Sequence, residues 1–208
     1  MAEQPRPRYR WSARRSEYVY GNHKAVQYST LRALVSQATS TSTDRLLAFY
    51  DKLERGNITV ASFKLVAAQE LKNMHGGLGA VAQGGVQQVS GKGWRTIEKA
   101  LAYHLAYLND LAGGIADGSI TLDAKARSRM LLYGASGYST FENSRRAMMR
   151  DAGFDMEQRV RGREKSCDVC KAQADLGFQP RGTLRDIGDS PCGNNCDCHF
   201  EFARSDSE

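Results

Sequence analysis

The placement of the cysteines constrains this chain more than anything else in it. All five fall between residues 167 and 198, as Cys167-x-x-Cys170 and, after a loop of 21 residues, Cys192-x-x-x-Cys196-x-Cys198, which runs directly into His199. Two short clusters of soft donors, each supplying half of a cage, are what one tetrahedral ion requires. The surrounding segment is rich in Gly, Arg and Asp and poor in aliphatic residues. It cannot bury a core of its own, and a unit so small needs a staple. Reduced thiols packed as small apolar groups are the alternative, but the neighbours Asp168, Lys171, Asn194, Asn195 and Asp197 are polar. An odd cysteine count argues against a complete disulfide framework. The pattern therefore predicts a closed, structural Zn2+ site. Cys167 and Cys170 form its firm pair, Cys196 is the third ligand and Cys192 the fourth. Cys198 shares a strand face with Cys196 and is able to replace either, whereas His199 points the other way. A zinc ion with four thiolates carries a charge of about −2, for which Arg163, Lys165, Lys171 or Arg181 could compensate.

Upstream, the apolar period is helical. Helices are expected near His23–Gln37, from Arg45 to Arg55 behind an Asp44 cap, and after Thr59 with Val60, Phe63, Val66, Leu71 and Met74 on one face. Trp94, Ile97, Leu101, Leu105, Leu108 and Leu111 form the clearest amphipathic stripe. A fourth helix is expected from a Thr121 cap to Gly153, bent near Gly134 and Gly137. The Ser/Thr run 38–43 reads as a joint, because such side chains compete with helical hydrogen bonds, and the glycine-rich stretch Gly76–Gly93 reads as a linker. After Gly153 the period changes. Met156, Gln158 and Val160 alternate weakly, and Cys196, Cys198, Phe200 and Phe202 alternate cleanly with Asp197, His199 and Glu201. The expected fold is mainly α, a helical body with a small C-terminal β-containing zinc-knuckle module. Its parts are a basic arm and linker (1–43), a helical domain (44–153) and a cysteine-rich module (154–208).

The formal charge of +6 permits acidic partners. In residues 1–20, Pro5 and Pro7 block helix, and Arg6, Arg8, Arg10, Arg14 and Arg15 interleave with Tyr9, Trp11, Tyr18 and Tyr20. An extended arm of that kind either remains a solvated tail or orders on nucleic acid, with arginines on phosphates and aromatics stacking. The basic run from Arg145 to Lys165 is a second candidate for DNA or acidic protein surfaces. No apolar run is long enough to cross a bilayer, and no secretory leader is expected, since Arg6, Arg8 and Arg10 are not followed by an apolar stretch. A reducing cytosol, where clustered thiols bind metal, is thus the expected setting.

The tempting catalytic motifs fail on order and spacing. His199-Phe-Glu201 and Pro191-Cys192 have the order of a zinc deaminase reversed and one residue too many. Gly77-Leu-Gly79-Ala-Val-Ala82 lacks the preceding strand of a dinucleotide loop. His75 and His104 read as ordinary helix residues, and the chain is not expected to be an enzyme.

Four stretches resemble the C-terminal part of the Mu F-like phage head morphogenesis (minor head) proteins. They are A-R-S-R-M-L-L-Y-G-A-S-G-Y-S-T-F-E at 126–142, A-G-F-D-M-E-Q-R-V at 152–160, S-C-D-V-C-K-A-Q-A at 166–174 and C-G-N-N-C-D-C-H-F at 192–200. The family's closing His-Pro-Asn-Cys-x-Cys phrase is replaced here by Cys192-Gly-Asn-Asn-Cys196-Asp-Cys198, with Cys192 near the family's histidine and one residue inserted. The resemblance covers about the C-terminal third. It implies a non-enzymatic virion component, present in the host cytoplasm during assembly, that contacts capsid or portal proteins and packaged DNA. A zinc-dependent nucleic-acid-binding regulator is the competing expectation.

Overall fold

The computed structural model describes residues 9–21 and 24–205. An N-terminal sheet of β1 (Tyr9–Ser12), β2 (Glu17–Tyr20) and β3 (Lys24–Ala25) precedes four long helices: α1 (Tyr28–Glu54), α2 (Val60–Ala82), α3 (Gly91–Ala116) and α4 (Ala124–Asp151). The C-terminal part comprises β4 (Met156–Val160), α5 (Asp168–Asp175), β5 (Gln179–Pro180) and β6 (His199–Ala203), with β4 central and antiparallel to both other strands. Helix α4 packs on α1, α2 and α3, and α2 on α1, α3 and α4, so these two form the middle of the bundle. The fold is therefore mainly helical with a small C-terminal sheet, as the periodicity predicts.

Local signals placed several helix ends. Thr59 caps α2 by accepting from the Ser62 amide at 3.1 Å, and the cap of α4 is Asp123, two residues past the expected Thr121, accepting from Ala126 N at 2.8 Å. Other expectations were overturned by packing. The Ser/Thr run 38–43 is no joint but the middle of α1. Its hydroxyls turn back onto their own helix, Thr39 donating to Val35 O at 3.0 Å and Thr43 to Thr39 O at 2.8 Å, while buried Ser42 donates to buried Glu70 on α2 at 2.7 Å. Gly76, Gly77 and Gly79 likewise lie inside α2. A methyl on Gly79 would strike Ile97, so this glycine lets α3 approach closely. Helix α3 likewise runs through Gly113 and Gly114 to Ala116.

Gly134 and Gly137, expected at a bend, are the points where α4 meets its neighbours. A Cβ on Gly134 would overlap the Thr43 side chain of α1, and one on Gly137 would lie 2.7 Å from Leu78 Cδ1 and 2.9 Å from Thr39 Cγ2. Gly134→Ala is expected to destabilise the fold by about 1–3 kcal/mol through overpacking, read as a lower urea midpoint, despite the better helix propensity of alanine.

The N-terminal arm is also corrected. Residues 9–20 form a hairpin that is part of the core, with Trp11, Tyr18 and Val19 buried. Trp11 and Tyr18 meet edge to face at 5.2 Å, Gln88 binds the Trp11 backbone at both N and O, and the Tyr18 hydroxyl donates to Ala82 O at the end of α2. Two of the aromatics that the sequence offered for stacking on a partner, Trp11 and Tyr18, bury themselves instead, while Tyr9 and Tyr20 are half-buried. Arg10, Arg14 and Arg15 remain on the surface, and Arg6 and Arg8 lie outside the described residues.

At the centre of the bundle His75 is fully buried and its ring stacks on buried His104 at 5.0 Å. Thr140 Oγ1 lies 2.7 Å and Ser136 Oγ 3.3 Å from its two nitrogens, and His104 meets Tyr103 and Tyr133 edge-on. Burial lowers His75 to about 3, with the neighbouring His104 adding to the shift, and burial lowers His104 to about 4. Both rings are neutral in the fold, while the unfolded chain takes up protons below about pH 6.5. Their stabilisation is thus complete above pH 6.5 and is lost as pH falls towards 4. Unfolding in urea at pH 4.5 should show a loss of roughly 5 kcal/mol relative to pH 7, about half from each ring, and His75→Gln should shrink that pH-dependent part.

Candidate metal centre

Each cysteine is delivered by a short, specific piece of backbone. Cys167 precedes α5 in extended conformation (φ −66°, ψ 157°), its carbonyl accepting from Lys171 N at 3.0 Å, and Cys170 follows in the first turn of that helix. C-x-x-C is therefore a helix entry, which turns both sulfurs to one side. Cys192 opens a tight turn over Gly193–Asn195, in which Gly193 adopts φ +51° and Asn195 N donates to Cys192 O at 3.0 Å. Cys196 leaves this turn extended, and Cys198 leads into β6.

The loop of 21 residues brings the two clusters together. Cys167 and Cys170 each approach Cys192 at 3.6 Å between sulfurs, and Cys170 approaches Cys196 at 3.8 Å. Two triads result, Cys167–Cys170–Cys192 and Cys170–Cys196–Cys198, and Cys170 belongs to both. Four sulfurs at a metal–sulfur distance of about 2.3 Å stand about 3.8 Å apart along a tetrahedral edge. The separations match that edge and are far from the roughly 2.05 Å of a disulfide. The five-cysteine cluster can therefore hold a metal ion, and within each triad all three sulfurs lie within 4.8 Å of one another.

The thiols influence one another. The hydrogen bond from Cys198 is the main cause holding Cys196 below the usual thiol range, and the same bond together with burial pushes Cys198 above it. Burial also raises Cys170 and Cys192. His199 faces away, stacking on Tyr28 at 4.8 Å with Nε2 3.9 Å from Glu201.

The module's own apolar core is minimal. Of its six buried members, Cys170, Leu184, Ile187, Cys196, Cys198 and Phe200, three are cysteines. Polar bonds dock it on the bundle. Tyr138 donates to Cys198 O at 3.1 Å, Asn194 to Leu132 O at 3.0 Å, and buried Glu142 accepts from Phe200 N at 3.3 Å. The basic run 145–165 is divided: Arg145, Arg146 and Arg159 turn inward, while Arg150, Arg161, Arg163 and Lys165 stay exposed. Buried Arg145 pairs with Glu142 at 3.0 Å and donates to Phe200 O, and Arg146 pairs with fully buried Glu157 and with Asp186.

Two expectations about charge are overturned. Strand β4 buries Glu157 and Arg159, not the Met156/Gln158/Val160 face, because each inward charge meets an opposite or polar partner. The cation at the sulfurs is Arg159, with Nη1 3.5 Å from Cys170 Sγ and 4.0 Å from Cys196 Sγ. Arg163 instead pairs with Asp197, Lys171 with Asp168 and Arg181 with Glu157, while Lys165 is exposed. Arg159 was missed because a lone arginine in a weakly alternating strand gives no sign of facing inward. Its position two residues from Glu157, on the same strand face, was the available signal.

No protein-family model, curated protein or solved structure matches this chain.

Proposed function

We propose that this chain is a minor head or head-morphogenesis protein of a bacteriophage, a structural component without catalysis, whose C-terminal module is closed by one structural Zn2+. The observation that carries the reading is that the four stretches with the family resemblance form one contiguous unit around the cysteines. The 126–142 stretch meets 192–200 through Tyr138, Glu142 and Leu132. The 152–160 stretch pairs with 192–200 as β4 and β6, and meets 166–174 where Arg159 touches Cys170. Sequence likeness spread over separate surface loops would have carried much less.

Zinc suits a set of donors that is all sulfur, and with four thiolates bound it presents no open position for a substrate. The ion's role is to hold two chain segments together. None of the described helices is long and apolar enough to cross a membrane. The bundle surface then serves capsid or portal subunits, and the exposed Arg14, Arg150, Arg161 and Lys165 serve acidic surfaces, packaged DNA among them. Fractionation of infected cells tests the reading: the protein should sediment with heads or head-assembly intermediates and carry about one zinc per chain. Its absence from both particle fractions would overturn it.

A further inference from the structure

We infer that Arg159 is the counter-charge of the metal centre, a positioning residue that holds one sulfur from each cysteine cluster in place and keeps the cage anionic; the inference rests on the reading of these cysteines as a metal site. A guanidinium remains protonated under all ordinary conditions, and a charge removed from water requires an opposite charge beside it. Arg145 and Arg146 follow this rule with the carboxylates of Glu142 and Glu157. Arg159 is 2% exposed, and its hydrogen-bonding partners are two backbone carbonyls, of Arg185 and Asp186, and the two sulfurs of Cys170 and Cys196. Carbonyl dipoles do not neutralise it, and neither do neutral thiols. Thiolates do, and a metal ion is what keeps several thiolates deprotonated at one point.

The contacts also place Arg159 mechanically. Cys170 comes from the first cluster and Cys196 from the second, so Nη1 spans both halves of the cage. Nη2 binds the carbonyls of Arg185 and Asp186, on the loop that leads to Cys192. One side chain thus ties together α5, the loop and the strand that carries it, while the Phe200 ring, 5.5 Å away, closes the other side. Four thiolates around a divalent ion leave the site with about two negative charges, and Arg159 offsets one of them beside the buried Cys170 and Cys196.

The test uses the full chain with zinc, competed against a chromophoric chelator, and with Co2+ as a spectroscopic substitute. Arg159→Met keeps an apolar stem and removes the charge. Zinc affinity should fall ten- to a hundredfold, as for other residues that support metal ligands, and the pH needed for half-maximal metal uptake should rise. Far-ultraviolet circular dichroism should retain the helical bundle. Arg159→Lys, which restores the charge without the fork, should bind between wild type and Arg159→Met, and it decides the matter if the Met variant does not fold. Wild-type affinity and an unchanged cobalt spectrum in Arg159→Met would overturn the inference and leave the metal site standing, as would a Lys variant no better than Met. A wild-type protein that binds neither ion would remove the metal site and this inference together.

Discussion

Cys170→Ser, or extraction of the ion by a chelator, is expected to open residues 161–198 to protease while the helical bundle survives. Cys170 is the sulfur common to both triads and is fully buried, so no other single cysteine links as many of the donors. In small zinc-dependent folds the ion supplies on the order of 10–16 kcal/mol. The apolar alternative here is slight, since Leu184, Ile187 and Phe200 are the only non-cysteine members of the module's buried apolar cluster among the described residues. The bundle is different: its core runs from Leu31 through Phe63, Leu71, Leu108, Met130 and Phe141 and contains no cysteine. Helical circular dichroism should therefore fall by no more than the eight residues of α5. The β4–β6 pair should fray last, because Arg145 and Glu142 of α4 grip Phe200 independently of the ion. Equal proteolysis of the metal-loaded and metal-free tail would contradict this account.

Glu157→Gln is expected to cost about 3–5 kcal/mol, the usual result of breaking a buried ion pair from one side. The carboxylate is fully buried. It accepts from Arg146 Nε at 2.7 Å and from Gly182 N at 3.0 Å, and Arg181 Nε lies 3.8 Å away. Without its charge, Arg181 has no carboxylate partner among those described and Arg146 retains only Asp186. Asp186→Asn is the matched control on the same arginine. That carboxylate is 55% exposed, and its removal should cost less than about 1 kcal/mol. Urea unfolding of both variants reads the contrast, and equal costs would show that water reaches Glu157.

The two results would probe features of opposite legibility. Cysteine chemistry is local in type and spacing, so the two clusters and their convergence could be read from the chain alone. Glu157 and Arg159 gave only their shared strand face as a sign, and a charged residue in a short strand is ordinarily solvated. They lie inward because Arg146, Arg181 and the cysteine sulfurs, distant in sequence, wait there. The aromatic-basic segment 9–20 was ambiguous for the same reason. Its aromatics suit a partner's surface and the end of α2 equally well, and α2 is present in every molecule.

From the sequence alone came the helical period, the Thr59 cap, the change to alternation after Gly153 and the two cysteine groups in 167–198 that could hold a metal ion, since each depends on neighbours within a few residues. Tertiary structure decided the rest. It ran α1 through the Ser/Thr stretch and α2 through its glycines, since propensities of a few tenths of a kcal/mol to about 1 kcal/mol per residue yield to helix packing. It also selected the arginine that faces the sulfurs, because a buried charge is placed by its partner, and that partner lies on a different segment of the chain.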